Sequence, residues 1–223
     1  MITKRKVILD QDQDRWDKAW LTETISEYPP VMLEILRKYV KPGMKALDAG
    51  CGIGFSSKEM LTLGAKVTAL DYSIECLKLC EQEGIIKDFV HGDIRELPFK
   101  ENSFDIIFSD GAIEHSDDYV DCMSKFHRCL RKGGILILAV PAVSFVWNAY
   151  ERLVPARFHK EKKFGKDKLV QISECCGFTI KDAFSWRTFS TIKKIFGRNP
   201  EAGNQDFIDW DWANRSLCVV AEK

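Results

Sequence analysis

Three features of the sequence predict an α/β protein built on a largely parallel sheet with helices on both faces. From residue 44 onward, short apolar runs alternate with segments of helical periodicity. One of these runs, Met44-Lys45-Ala46-Leu47-Asp48, passes directly into glycines at 50, 52 and 54 and then into a helical start. A second run ends on Asp71, about twenty residues beyond that turn, where an acidic residue at a strand end can meet a nucleoside. At 223 residues the chain can bury a sizeable core, and one decorated domain is the simplest expectation. Residues 1–42 are expected to form N-terminal helices and 43–223 the main domain, with an insertion at about 141–168.

The elements follow in order. Trp16 and Trp20 are four apart, so a helix would put both rings on one face, either packed on the domain or serving as a lid over a ligand. Pro29-Pro30 opens a helix with Met32, Leu33, Leu36, Tyr39 and Val40 on one side, expected to pack on the sheet, and Lys41-Pro42-Gly43 stops it. After the glycine turn, Ser56 and Glu59 have capping-box spacing, and the helix runs to Gly64. Residues 65–71 form the second strand, Ile74, Leu77 and Cys80 mark a helix, and 85–91 form the third strand. The fourth spans 103–109. A helix through Tyr119, Met123 and Phe126 is expected to end in the basic and glycine residues 131–134, followed by a fifth strand at 135–140. Gly165 precedes a helix through Leu169 and Ile172, residues 178–184 read as the sixth strand, Trp186 to Phe196 as an apolar-faced helix, and 215–222 as the seventh strand.

Composition narrows the function. The formal net charge is zero, so the whole chain carries no electrostatic footprint for a nucleic acid. Eight cysteines at irregular spacing, with no paired cysteine and histidine pattern, read as reduced thiols, mostly buried, and predict no metal site. The N-terminus has no apolar run of signal-peptide length, and no stretch approaches a membrane span, so a cytoplasmic protein without a membrane span is expected.

The glycine turn carries the chemistry. Glycines allow a tight turn and close approach of a ligand to the backbone. A dinucleotide turn would place its third glycine at 55, where this chain has Phe55, and the Gly-Lys-Ser/Thr of a phosphate-cradling loop is absent. The run Leu47-Asp48-Ala49-Gly50-Cys51-Gly52-Ile53-Gly54 instead closely resembles the first motif of the class I methyltransferases, which use S-adenosylmethionine. Asp71, His91-Gly92-Asp93-Ile94 and Ser109-Asp110-Gly111-Ala112-Ile113-Glu114-His115 extend the resemblance over about residues 30–140. Leu97-Pro98-Phe99 and the Glu114-His115 pair look most like the small-molecule group that includes ubiquinone and menaquinone biosynthesis methyltransferases. The amino-methylating Asn-Pro-Pro-Tyr motif of nucleic acid enzymes is replaced by residues 109–112, and the paired acids of protein arginine methyltransferases are missing.

The resemblance implies a Rossmann-like seven-stranded, mostly parallel sheet whose seventh strand is antiparallel and inserted beside the fifth. It also implies S-adenosyl-L-methionine as cofactor, bound by Asp48, Gly50, Cys51, Gly52, Gly54, Asp71, Tyr72, Asp93, Ile94 and Ser109. Within that set Asp71 would accept from the ribose hydroxyls, Asp93 from the adenine amine, and Ile94 would pack on the ring. The reaction would be attack on the sulfonium-bound methyl by a small-molecule acceptor. His115 is the candidate base, or else a structural partner of Glu114. Trp16, Trp20, Trp147, Tyr150 and His159 are candidate acceptor contacts, and the basic stretch 151–168 is a solvated face or an anion-recognition surface. A monomer or homodimer is expected. An NAD-dependent oxidoreductase and a non-catalytic binding module are the alternatives.

Overall fold

A computed structural model describes residues 28–143, 162–186 and 216–223. Its strands form one seven-stranded sheet in the order β3-β2-β1-β4-β5-β7-β6. These are β1 (Lys45–Ala49), β2 (Lys66–Asp71), β3 (Phe89–His91), β4 (Phe104–Asp110), β5 (Leu130–Pro141), β6 (Thr179–Trp186) and β7 (Ser216–Glu222). The pairs among β1 to β5 are parallel, and β7 runs antiparallel between β5 and β6. This is the expected sheet, including the inserted seventh strand.

Alternation along the strands builds two cores. Ala46, Ile106, Phe108, Ile137, Ala139, Cys218 and Val220 face one way, against α1 (Pro30–Tyr39) and Met60 of α2 (Phe55–Thr62). Leu47, Ile107, Leu136, Leu138, Val219 and Ala221 face the other, against α4 (Tyr119–Cys129) and α5 (Lys166–Cys175). A smaller cluster of Cys51, Ala69, Leu77, Cys80 and Ile86 seats α3 (Ile74–Gln82). The α1 helix starts on Pro30, where a missing N–H costs nothing, and buries Val31, Met32, Ile35 and Leu36. Burying one such aliphatic side chain contributes roughly 1.5–3 kcal/mol. Six of the eight free cysteines are buried, in line with their expected role as packed thiols.

Four expectations are corrected. The start of α2 uses no capping box: Gly54 is its N-cap in the left-handed region, Ser56 and Ser57 both donate to Asp48, and Glu59 pairs with Arg37. Tertiary partners outcompeted the local motif. The third strand is only Phe89–His91, because Ile85 and Ile86 donate back to the Cys80 carbonyl and close α3. The fifth begins earlier than expected: Leu130 already pairs with Phe104, and the next pairing joins Ile135 to Ile106. Residues 131–134 thus form a bulge rather than a helix end, and Gly134 permits it because a Cβ there would lie 2.8 Å from the Arg131 carbonyl. Finally, β6 runs on to Trp186, held by its pairing with Ser216. The helix expected over 186–196 lies beyond this point, outside the described residues.

Candidate functional site

Open parallel sheets bind ligands outside the carboxyl ends of their strands, where the strand order reverses. Here that point is β1, with β2 on one side and β4 on the other. The registers Ala49↔Leu70 and Asp48↔Phe108 put Asp71 and Asp110 level with Gly50 on either side. Two strand spacings separate them, roughly 10 Å.

The turn at the end of β1 requires its glycines. Gly50, Gly52 and Gly54 all have positive φ, at 84°, 51° and 82°. A Cβ on Gly50 would sit 2.7 Å from Cβ of Ala112, and one on Gly54 would meet Cys80, Ile85 and Ile86 at 3.0–3.2 Å. Gly50 thus seats the turn on the loop after β4, and Gly54 seats it on α3. The Gly50 and Cys51 amides donate to the Leu70 carbonyl, and the Gly52 amide donates to Asp71 Oδ2 at 2.7 Å. Cys51 is buried beneath the turn, with its thiol directed to the Gly52 carbonyl. Ser109 is fully buried and donates to the Ala49 carbonyl at 2.9 Å, tying β4 to the entrance of the turn.

Three carboxylates surround this turn, each differently held. Asp48 is buried beneath it and accepts from Ser56 and Ser57 at 2.6 and 2.5 Å; burial raises its pKa to about 6, against the lowering effect of the two hydroxyls. Asp71 accepts the Gly52 amide on one oxygen and the Ser73 amide on the other, 2.8 Å away. Its pKa is raised by burial and pulled back by those backbone amides. Asp110 accepts from the Tyr28 hydroxyl at 3.0 Å, and burial raises its pKa to about 6. Tyr28 stacks on Phe55, with ring centroids 6.0 Å apart. Burial and the Asp110 charge together push the Tyr28 phenol well above its ordinary pKa.

Of the remaining candidates, Tyr72, Asp93, Ile94 and His115 are on or next to the segments that leave the carboxyl ends of β2, β3 and β4. Tyr72 follows Asp71, and its carbonyl meets His91 Nε2 at 3.0 Å. Asp93 caps the short turn Ile94–Glu96, with its two oxygens engaged by the backbone and guanidinium of Arg95, while Ile94 packs against the larger core. Past β4, the turn Ile113–His115 places the His115 Nε2 3.8 Å from Oε1 of the buried Glu114. Lys162 steadies this turn: its ammonium donates to the Ser116 carbonyl at 2.6 Å and to Asp117 at 3.0 Å. Trp16, Trp20, Trp147, Tyr150 and His159 lie outside the described residues. A separate groove of about 680 Å³, lined by Lys45, Lys66, Lys87 and Asp88, opens near the amino ends of β1 and β2, away from the turn.

Tyr28, Asp110 and Lys162 are the residues that the sequence reading missed as site candidates. Nothing local marks Tyr28, which is 82 positions from its partner. Asp110 directly follows the strand expected at 103–109, and that adjacency was the available signal; the structure takes β4 on to Asp110 itself.

The donor set discriminates between ligands. No lysine or arginine among the described residues is ion-paired with Asp48, Asp71 or Asp110. Such a crevice disfavours the two phosphates of a dinucleotide and suits a cationic nucleoside. S-adenosylmethionine, with its sulfonium and its ribose, fits these residues.

Comparison with known proteins agrees. The methyltransferase domain family matches residues 47–138. The malonyl-acyl-carrier-protein O-methyltransferase of Yersinia pestis is 37% identical over 100 residues, covering 45% of this chain and 38% of that protein. The chain therefore spans well under half the length of that relative. The demethylmenaquinone methyltransferase of Staphylococcus epidermidis is 29% identical over 181 residues, covering 76% of this chain and 71% of that protein. Among solved structures, an S-adenosylmethionine-dependent methyltransferase from Mesorhizobium loti superposes with a TM-score of 0.66 at 16% identity, covering 86% of this chain and 96% of that one. This chain carries the fold of the class I S-adenosylmethionine-dependent methyltransferases, for which S-adenosylmethionine is the implied cofactor, and its sequence is similar to that of a demethylmenaquinone methyltransferase.

Proposed function

We propose that this protein transfers a methyl group from S-adenosylmethionine to a small-molecule acceptor. The observation that carries this reading is the clamp between the Gly52 amide and Asp71 at the reversal point of the sheet, in a crevice whose fixed charges are negative. When bound, the cofactor supplies a methyl carbon activated by its sulfonium, which an acceptor nucleophile takes as the carbon–sulfur bond breaks and a neutral thioether remains.

The chain's own work is then placement and exclusion of water. Asp71 keeps lone pairs beyond those that meet the amides of Gly52, Tyr72 and Ser73, and these serve the ribose hydroxyls. Asp93 and Ile94 serve the adenine edge and face, with Asp93 sharing its oxygens between that role and Arg95. Tyr28 and Phe55 form an apolar wall over the turn. Where the acceptor loses a proton on methylation, His115 takes it, and the adjacent Glu114 carboxyl orients the ring and stabilises its charged form. Trp16, Trp20, Trp147, Tyr150 and His159 are the proposed acceptor contacts, within the segments 1–42 and 141–168. We place the enzyme in the cytoplasm as a monomer or homodimer. Among the described residues, no helix is long and apolar enough to cross a membrane.

The test is calorimetric titration with S-adenosylmethionine, S-adenosylhomocysteine and NAD, followed by transfer of an isotopically labelled methyl to an acceptor panel. Binding of the first two with no NAD binding is expected. Preferential NAD binding would sink the proposal.

A further inference from the structure

We infer that the Tyr28–Asp110 pair reads the positive charge of the methyl-bearing cofactor, distinguishing S-adenosylmethionine from its neutral demethylated product. The inference rests on the methyl-transfer reading above and assigns one subsite within it. Asp71 and Asp110 stand level with Gly50 on opposite sides of β1, so a ligand whose ribose meets Asp71 extends its other end toward Asp110. Asp110 spends one oxygen on the Tyr28 hydroxyl, and among the described residues its other oxygen has no hydrogen-bond partner and no lysine, arginine or histidine is paired with it. Among the described residues the titratable groups facing it are Asp48, Tyr28 and Cys218, and none of these supplies a compensating cation. At pH 8 a carboxyl with a pKa of about 6 is ionised.

A carboxylate held in a half-buried crevice without a counter-ion is costly, and a ligand bearing a fixed positive charge removes that cost. Tyr28 keeps the carboxylate in place, because stacking on Phe55 restrains the ring that donates to it. Methyl transfer turns the sulfonium into an uncharged thioether, so the attraction is present before the reaction and gone afterwards. The pair therefore favours loading of the methyl donor and release of the spent product.

The experiment is calorimetry at pH 8 on the full chain, titrating S-adenosylmethionine, S-adenosylhomocysteine and an analogue with an ammonium in place of the sulfonium. Wild type is expected to bind the two charged ligands about tenfold tighter than the thioether. In Asp110→Asn that ratio should fall toward one while thioether affinity stays within about twofold, which also shows that the variant is folded. Tyr28→Phe should lower the ratio by a smaller factor. A wild-type ratio near one overturns the inference. So does an Asp110→Asn variant that weakens all ligands equally, as it would if the carboxylate met the amino acid end they share. If Asp110→Asn does not fold, Tyr28→Phe decides, and an unchanged ratio there rejects the pair. Wild type that binds none of the three ligands fails the methyl-transfer reading itself, a result distinct from binding without discrimination.

Discussion

Asp71 and Asp110 terminate the two strands that flank β1, yet they are held in opposite ways. Asp71 has a backbone amide on each oxygen, from Gly52 and Ser73. Asp110 has one side-chain hydroxyl, from a tyrosine 82 positions away. Backbone amides cannot rotate away, so Asp71 is part of the turn's own architecture. The Asp110 carboxylate depends on how the segment before α1 docks on the sheet. One side of the crevice is thus built as a rigid grip and the other as an adjustable charge.

The largest break in this arrangement is expected from Gly50→Ala. Its φ of 84° and the 2.7 Å approach to Ala112 together should cost about 3 kcal/mol in urea denaturation and abolish cofactor binding, and a variant of wild-type stability would show that the turn is not seated on the β4 loop.

Next is Asp71→Asn, which turns one oxygen into a donor facing a backbone amide. Affinity for S-adenosylmethionine and S-adenosylhomocysteine should fall together by roughly 1.5–3 kcal/mol, in contrast to the one-sided effect expected at Asp110. A loss confined to one ligand would erase the distinction between the two carboxylates. Because Asp71 also secures Gly52, this loss measures the grip as a whole and not the ribose bonds alone.

A third, smaller effect is a pH dependence. Burial raises Asp110 from 3.8 to about 6 in the fold. The folded state therefore binds this proton more tightly than the unfolded chain, and the contribution to stability is complete below about pH 4 and lost as pH rises through 6. Asp110→Asn, which keeps an acceptor for Tyr28, should then stabilise the ligand-free protein by about 2 kcal/mol at pH 8 and hardly at all at pH 4. Thermal melts at the two pH values check this, and equal shifts at both would exclude a buried charge as the cause.

The smallest effect is expected for Lys162→Met. The Lys162 to Asp117 pair is exposed, so global stability should change by less than about 1 kcal/mol. Amide hydrogen exchange should nonetheless quicken at 111–116, where Lys162 holds the Ser116 carbonyl. Unchanged exchange there would mean that the turn carrying Glu114 and His115 is self-supporting.

Much of the frame was legible in the chain. Strands β1, β2 and β4 and helices α1 and α4 followed from periodicity, because their apolar spacing coincides with the faces they bury. Boundaries failed where long-range partners overrode local signals. Ser56 looked like a cap and instead binds Asp48, eight positions back; 131–134 looked like a helix end and instead bulges out of β5. Asp93 was legible as a polar residue after β3, but its bond to Arg95 was not, since a turn's side-chain pairing depends on backbone direction.

By itself the sequence determined the glycine turn, the strand-end Asp71 and the order of strands and helices, because each depends on residues close together in the chain: positive φ at Gly50, Gly52 and Gly54, and an alternation of period two or 3.6. Only the tertiary structure decided that Tyr28 donates to Asp110, that Gly50 lies against Ala112 and that Lys162 holds Ser116. Those contacts join segments 46 to 82 positions apart, or 62 for the Gly50 approach, and no local propensity encodes them. They exist because packing the two faces of one sheet brings the carboxyl ends of its strands, and the loops that leave them, to a single edge.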